Sequence, residues 1–166
     1  MKKLIITAIC AVALLASCTS PSVPDSYNEA QRKPQIYPEY TDVTIPCNIA
    51  PMNFMVAENC EEAVAKFTYG NEEAVYGDGT KIIIPENDWK NMTAEAKGKS
   101  IKVDVYTRNG ESWTKFKTFS LNVAADEIDP YISYRLIPPS YVAYEKLTID
   151  QRNLTNFEEK TIYNNM

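Results

Sequence analysis

The residues of this chain with the widest chemical repertoire are its four cysteines, and it contains no histidine to accompany them. Without an imidazole there is no Ser-His-Asp or Cys-His nucleophile, no imidazole general base and no zinc site that includes histidine. Carboxylates are plentiful, and a carboxylate pair is the catalytic arrangement of glycosidases. The adjacent acidic pairs fall in predicted turns or strand ends, where charges are normally solvated: Glu61-Glu62, Glu72-Glu73 and Glu158-Glu159. We therefore expect no enzyme, no metal and no other cofactor.

Cys18 follows the three parts of a secretory signal peptide. Residues 1–17 have two lysines near the start, an apolar run from Leu4 to Leu15 and a small-residue ending, and the run is too short to span a membrane. The sequence Leu15-Ala16-Ser17-Cys18 resembles a bacterial lipobox. That resemblance implies cleavage before Cys18 and acylation of its sulfur and new amino group, which would hold the protein firmly because several acyl chains bind far better than one. The alternative is an ordinary cleaved signal whose cysteine falls there by chance.

Two cysteines, Cys47 and Cys60, remain after Cys10 leaves with the signal and Cys18 carries lipid. Two thiolates cannot make a four-thiolate metal site. Outside the cytosol they could form one disulfide worth about 3 kcal/mol. The alternative is two separately buried thiols, because sequence spacing does not establish the required Cα separation.

The charge of the chain disfavours nucleic acid as a partner. The net charge is −5, and it becomes −7 when Lys2 and Lys3 leave with the signal. Nucleic acid and anionic membrane surfaces both need a basic patch for electrostatic binding. We therefore expect the membrane contact to be made by lipid alone.

Residues 18–38 have no apolar periodicity, and four prolines are mixed with polar residues, so this segment is predicted to be a flexible tether. Residues 39–125 follow as the predicted domain. Short β-branched and aromatic runs alternate there with Gly, Asn and Pro turns, and one helix is predicted at Pro85 to Lys97. The absence of βαβ alternation indicates an all-β fold, an antiparallel sandwich of the immunoglobulin or fibronectin III type with one short helix.

The clearest local feature is a hairpin around Asn109-Gly110, a pair typical of a type I′ turn. That turn pairs residue 108 with 111, and it places Tyr106 opposite Trp113. Along the second strand, the apolar residues switch from the positions of one face to the positions of the other. A strand can bury both sets only if an extra residue shifts the alternation, so a β-bulge is predicted near Lys117-Thr118. Trp113, Tyr106 and Trp89 are candidates for a glycan-binding platform. The alternative is that Trp89 packs in the core with Met92 and Ala96, and that the hairpin pair braces an outer face.

Residues 126–166 differ from the preceding domain in their aromatic and proline content. Four tyrosines cluster around Pro138-Pro139, and aromatic residues beside proline are typical of a docking edge. We interpret them as a candidate docking surface for an unknown protein partner or for a missing downstream domain. The alternative is that they close the end of the sandwich. The four residues are Tyr131, Tyr134, Tyr141 and Tyr144.

Three segments together resemble the amino-terminal region of the Bacteroidetes TolB-like β-propeller lipoproteins, which are sometimes named for cytochrome c biosynthesis. The segments are Ile45 to Phe54, Tyr134 to Pro139, and Gln151 to Phe157. Members of that family are expected to continue into a Cys-x-x-Cys-His segment and a propeller, and this chain has neither, so the resemblance implies the leading domain of such a protein.

The sequence thus predicts a non-catalytic envelope lipoprotein whose sandwich acts as a spacer or docking module. The alternative is a glycan-binding lipoprotein of a surface polysaccharide-uptake system. An acidic stretch directly after the lipid-bearing cysteine is associated with surface export in this phylum, and here the first charge is Asp25. We therefore expect a lipid-anchored protein of the outer membrane that faces the periplasm, with the cell surface as the alternative.

Replacing Cys18 with serine should prevent lipid attachment, because the acyl acceptor is lost while the rest of the signal is kept. Fractionation of cells that produce each form measures this. We expect the parent in the membrane fraction and Cys18→Ser in the soluble fraction or uncleaved, with Cys60→Ser behaving as the parent. A membrane-bound, fully processed Cys18→Ser protein would contradict the lipobox assignment.

Overall fold

A computed structural model describes residues 20–136 and 147–165 of the chain. Cys18, Tyr141 and Tyr144 lie outside the described residues. Within them no helix has both the length and the apolar character needed to cross a membrane. The elements are, in chain order, β1 (Asn28–Glu29), β2 (Ile36–Tyr37), β3 (Thr44–Ile45), β4 (Phe54–Val56), β5 (Glu62–Tyr69), β6 (Glu72–Tyr76), β7 (Lys81–Ile82), α1 (Glu86–Glu95), β8 (Ser100–Asn109), β9 (Ser112–Lys115), β10 (Phe119–Val123), β11 (Tyr131–Leu136), β12 (Thr148–Asn153) and β13 (Glu159–Asn164).

The first ten strands form a two-sheet sandwich. One sheet has the order β2-β4-β7, and the other is built on the pair β5 and β8, with β6 outside β5 and with β9 and β10 along the far side of β8. Strand β3 runs parallel to β10 at the edge. Two facing, mainly antiparallel sheets are the sandwich architecture that immunoglobulin and fibronectin III domains also have. The predicted all-β sandwich with one short helix is confirmed.

The sandwich holds together because alternate residues of its strands point into one core. Ile101, Val103 and Val105 of β8 are fully buried, and they share a cluster with side chains from the opposite sheet. The rings of Phe54 and Phe119 meet edge to face across the two sheets, with centroids 6.3 Å apart. The hydrophobic residues of both inner faces are therefore removed from water together.

Helix α1 connects β7 to β8 and covers one end of the core. It begins after Pro85 and is followed by Gly98 at φ +73°, close to the predicted bounds. Trp89 and Met92 are completely buried, and the Trp89 indole N–H donates to the carbonyl of Ile49 at 2.8 Å. Trp89 is a core residue, so its candidacy for an exposed platform is wrong.

The hairpin turn differs from the prediction by one residue. Asn109 pairs with Ser112, so the two loop residues are Gly110 and Glu111. Gly110 has φ +60° and Glu111 has a negative φ, which fits a type II′ turn, with its glycine in the first loop position. Between β8 and β9, every cross-strand partner is displaced by two residues. Because side chains alternate with period two, the inward and outward faces are unchanged.

The predicted β-bulge is confirmed at Lys117-Thr118. On one side of it the Phe116 N–H donates to the Val105 carbonyl at 3.0 Å, and on the other side Phe119 pairs with Val103. Two residues of the second strand therefore oppose one residue of β8. This extra residue turns the apolar side chains of β10 inward, which is the parity change visible in the sequence.

Residues 28–37 belong to the sandwich, so the predicted tether boundary at residue 38 is wrong. Strand β1 pairs in parallel with β9, and strand β2 pairs antiparallel with β4. Ile36 is 5% exposed and lies in the core. Arg32 donates two hydrogen bonds, at 2.6 and 2.7 Å, to the Glu58 carboxylate. These contacts join residues far apart in sequence, which periodicity within a short segment cannot reveal.

Trp89→Phe should lower the free energy of unfolding by about 1–3 kcal/mol, because it leaves the Ile49 carbonyl without a donor and reduces the buried volume. Trp113→Phe is the matched control, since Trp113 is only half-buried and lies in the hairpin. Urea denaturation measures both. Equal losses in the two variants would contradict the assignment of Trp89 to the core.

The Arg32–Glu58 pair should make the free energy of unfolding depend on pH in the acidic range. Hydrogen bonds from Arg32 hold the pKa of Glu58 below its usual value of 4.5. The stabilisation is therefore present above pH 4.5 and is lost as the pH falls through the lowered pKa. Glu58→Gln should cost about 1 kcal/mol at pH 7 and progressively less below pH 4.5. Chemical denaturation across this pH range measures the free energy of unfolding, with Glu111→Gln as the control. A difference between parent and Glu58→Gln that did not change with pH would contradict the assignment.

Candidate docking surface

The predicted glycan platform of Trp113, Tyr106 and Trp89 is not assembled. Tyr106 is 2% exposed, because the ring of Tyr27 packs on it edge to face with centroids 5.3 Å apart. Burial raises the pKa of Tyr106. Trp113 lies opposite Arg108 and not opposite Tyr106. No pattern in the sequence indicated that Tyr27 covers Tyr106, since Tyr27 belongs to the segment predicted to be a tether.

The disulfide considered for Cys47 and Cys60 is not formed, because both residues are free thiols. The sulfur of Cys47 faces the carbonyl oxygens of Asp126 at 3.5 Å and Ala125 at 3.8 Å. Burial, with a smaller contribution from Glu58, raises the pKa of Cys60, which makes that thiol a poor nucleophile. Residues 20–136 and 147–165 contain no cluster of three potential metal ligands.

Tyr131 and Tyr134 lie in a separate three-stranded antiparallel sheet of order β11-β12-β13, here called the C-terminal sheet. They are three residues apart on one strand, so their side chains point to opposite faces. Tyr131 is 52% exposed. Tyr134 is half-buried, and its hydrogen bond to Glu159 raises its pKa. The sheet thus contains two of the four predicted docking residues, on different faces.

Asp150 is the polar centre of the C-terminal sheet. It is 3% exposed, and its two carboxylate oxygens accept hydrogen bonds from the hydroxyls of Thr148 at 2.9 Å and Thr161 at 2.6 Å. It pairs with Tyr134 across β11 and β12. The buried centre of this sheet is therefore a hydrogen-bonded carboxylate and not an apolar core.

Large apolar side chains are exposed on the C-terminal sheet and its turns far more than on the sandwich. Every residue of β13 is exposed. Among the described residues, four large apolar side chains are exposed before residue 131, and seven are exposed from there onwards. A surface this rich in apolar groups typically contacts another molecule. The seven are Tyr131, Ile132, Leu136, Ile149, Phe157, Ile162 and Tyr163.

The C-terminal sheet is attached to the sandwich by a short set of hydrogen bonds, here called the clamp. The Asn48 side chain donates to the Ile128 carbonyl at 2.9 Å and accepts from the Ile128 N–H at 3.0 Å. The Ala50 N–H donates to the Leu154 carbonyl at 2.8 Å, and the Leu154 N–H donates to the Pro130 carbonyl at 2.7 Å. The clamp brings together two of the segments that carry the family resemblance.

The free edge of β13 is not well suited to strand addition. Lys160 lies on it, and the pairing of β12 with β13 shifts register at Ile149 and Asp150. Both a lysine and a bulge are features that protect edge strands from pairing with other chains. The faces of the C-terminal sheet are therefore better suited to docking than its edge.

Comparison with known proteins does not place the chain in a family. No protein-family model and no solved structure matches it. The chain is 28% identical over 96 residues to one subunit of an ATP-dependent helicase/deoxyribonuclease from Carboxydothermus hydrogenoformans. That alignment covers 56% of this chain and 9% of the relative. Since the chain spans less than a tenth of that protein, the relative's activity does not carry over to it.

Asn48→Ala should loosen the C-terminal sheet while leaving the sandwich folded. The loss of two hydrogen bonds favours local opening roughly tenfold. Limited proteolysis measures the cleavage rate within residues 131–165 against that of the sandwich. The matched control is Asn71→Ala in the exposed turn between β5 and β6. Cleavage of the C-terminal sheet at the parental rate in Asn48→Ala would contradict the role of the clamp.

Proposed function

We propose that this protein is a non-catalytic, lipid-anchored envelope protein whose sandwich serves as a spacer and whose C-terminal sheet is the docking surface. The lipid is attached through Cys18, at the outer membrane on its periplasmic side. The chain corresponds to the leading domain of a TolB-like propeller lipoprotein, and the docking partner is a protein or a further domain of such a protein.

The observation that carries this proposal is the uneven distribution of exposed apolar side chains. The sandwich buries most of its large hydrophobic residues and exposes four, whereas the smaller C-terminal region exposes seven, with Ile132, Leu136 and Ile162 about half exposed. Leaving such groups in water forgoes roughly 25 cal/mol for each Å² of apolar surface. A protein partner that covered this sheet would recover that free energy.

The spacer role is supported by how the N-terminal segment is held. Arg32, Ile36 and Tyr27 pack against the sandwich, so the flexible part of the predicted tether ends before residue 27. A tether of fewer than ten residues between Cys18 and the sandwich has an r.m.s. length of roughly 15–20 Å. Partners at the membrane surface are therefore within reach.

Site-specific photo-crosslinking tests the docking surface directly. A photoreactive phenylalanine analogue replaces Ile162, which is 54% exposed, or in the control Ile83, which is 50% exposed on the sandwich. Irradiation of intact cells should give a discrete protein adduct from position 162 and none from position 83. No adduct from either position, or the same adducts from both, would contradict the proposed surface.

A further inference from the structure

A groove of about 450 Å³ lies on one face of the C-terminal sheet. Its volume is within the range of small-ligand sites. Of the residues that line it, the sequence patterns singled out Tyr131 as a docking candidate, and they gave no sign of the groove itself. The lining residues are Tyr131, Gln151, Asn153, Glu158, Glu159 and Lys160.

The strand register explains how these side chains come together. Asn153 lies directly opposite Tyr131, and Gln151 lies opposite Lys160. Gln151 and Asn153 are two residues apart on the central strand β12, so they point to the same face. The two carboxamides form the floor of the groove, with the phenol of Tyr131 on the β11 side and the ammonium of Lys160 on the β13 side.

The polar groups of the groove are available to a ligand. The Asn153 side-chain oxygen accepts hydrogen bonds from the N–H and hydroxyl of Thr155 at 2.9 and 2.8 Å, which fixes the orientation of the amide. Its N–H groups have no acceptor among the residues that the structure describes. In the same ranges no ion pair engages Glu158 or Lys160. The orientation of the Asn153 amide is thus fixed, and its N–H groups can donate to a ligand.

The groove carries a small negative charge. Glu158, Glu159 and Lys160 line it, so their formal charges sum to −1, and Glu159 is hydrogen-bonded to Tyr134. A groove with this excess negative charge disfavours anionic ligands. Its remaining chemistry is an exposed aromatic ring beside amides that both donate and accept hydrogen bonds.

We propose that this groove binds a neutral oligosaccharide. The apolar C–H face of a sugar ring stacks on Tyr131, and sugar hydroxyls exchange hydrogen bonds with the carboxamides of Gln151 and Asn153. The site is distinct from the hairpin residues first considered for glycan binding. Tyr131 belongs both to the groove and to the docking residues proposed above, whereas Ile132 and Leu136 point to the opposite face of the sheet.

Saturation-transfer NMR on the full chain tests the groove, with maltohexaose, xylohexaose and chitohexaose as probes at millimolar concentration. We expect transfer to the ring protons of at least one probe. Tyr131→Ala should weaken that binding roughly tenfold. The matched control is Tyr163→Ala, because Tyr163 is equally exposed on the same sheet but does not line the groove.

Gln151→Ala provides a second test that leaves the aromatic ring in place, and circular dichroism checks that each variant is folded. The Gln151→Ala substitution should weaken binding of the same probe, while the Tyr163→Ala protein binds it as the parent does. Absence of transfer to all three probes would overturn the proposal. Equal weakening by Tyr131→Ala and Tyr163→Ala, or full binding by both groove variants, would overturn it as well.

Discussion

The clamp between Asn48 and Ile128 joins a domain that has a hydrophobic core to a sheet that has none. In the sandwich, burial of apolar side chains from two facing sheets supplies the stabilisation. The C-terminal sheet has a hydrogen-bonded Asp150 at its centre and exposed apolar residues around it. Three strands without a covered hydrophobic face are marginally stable, so this sheet depends on its attachment to the sandwich.

This dependence links structure to the proposed function. Two aromatic residues of the sandwich that could have formed a site are covered: the tryptophan of helix α1 is buried, and the hairpin tyrosine lies beneath Tyr27. The C-terminal sheet, by contrast, presents apolar side chains and a polar groove. The proposed spacer, with a sheet of lower local stability at its end, suits a protein whose contact surface is stabilised when a partner covers it.

Local patterns in the sequence predicted the elements that local forces determine. Pro85 and Gly98 bounded the helix, and the parity of Phe119, Leu121 and Val123 predicted the bulge. The hairpin register was missed by two residues, because Asn-Gly and Gly-Glu turns both fit the same sequence and give the same faces.

Long-range contacts could not be predicted in this way. Strands β1 and β2 have two residues each, too few to show a period, and their partners are distant in sequence. Tyr27, which covers Tyr106, belongs to the same N-terminal segment. For the docking surface, composition identified the tyrosines of residues 131–144, but only the strand pairing showed that Tyr131 and Tyr134 occupy opposite faces and that Tyr131 borders a groove.

Native-state hydrogen exchange of the full chain tests the central claim most directly. We predict that amides of β5 and β8 exchange only through global unfolding, whereas amides of β12 exchange through a separate opening of lower free energy. Such behaviour is expected if the C-terminal sheet has no core of its own. Equal protection of β8 and β12, lost together as denaturant is added, would show one cooperative core and would contradict the account.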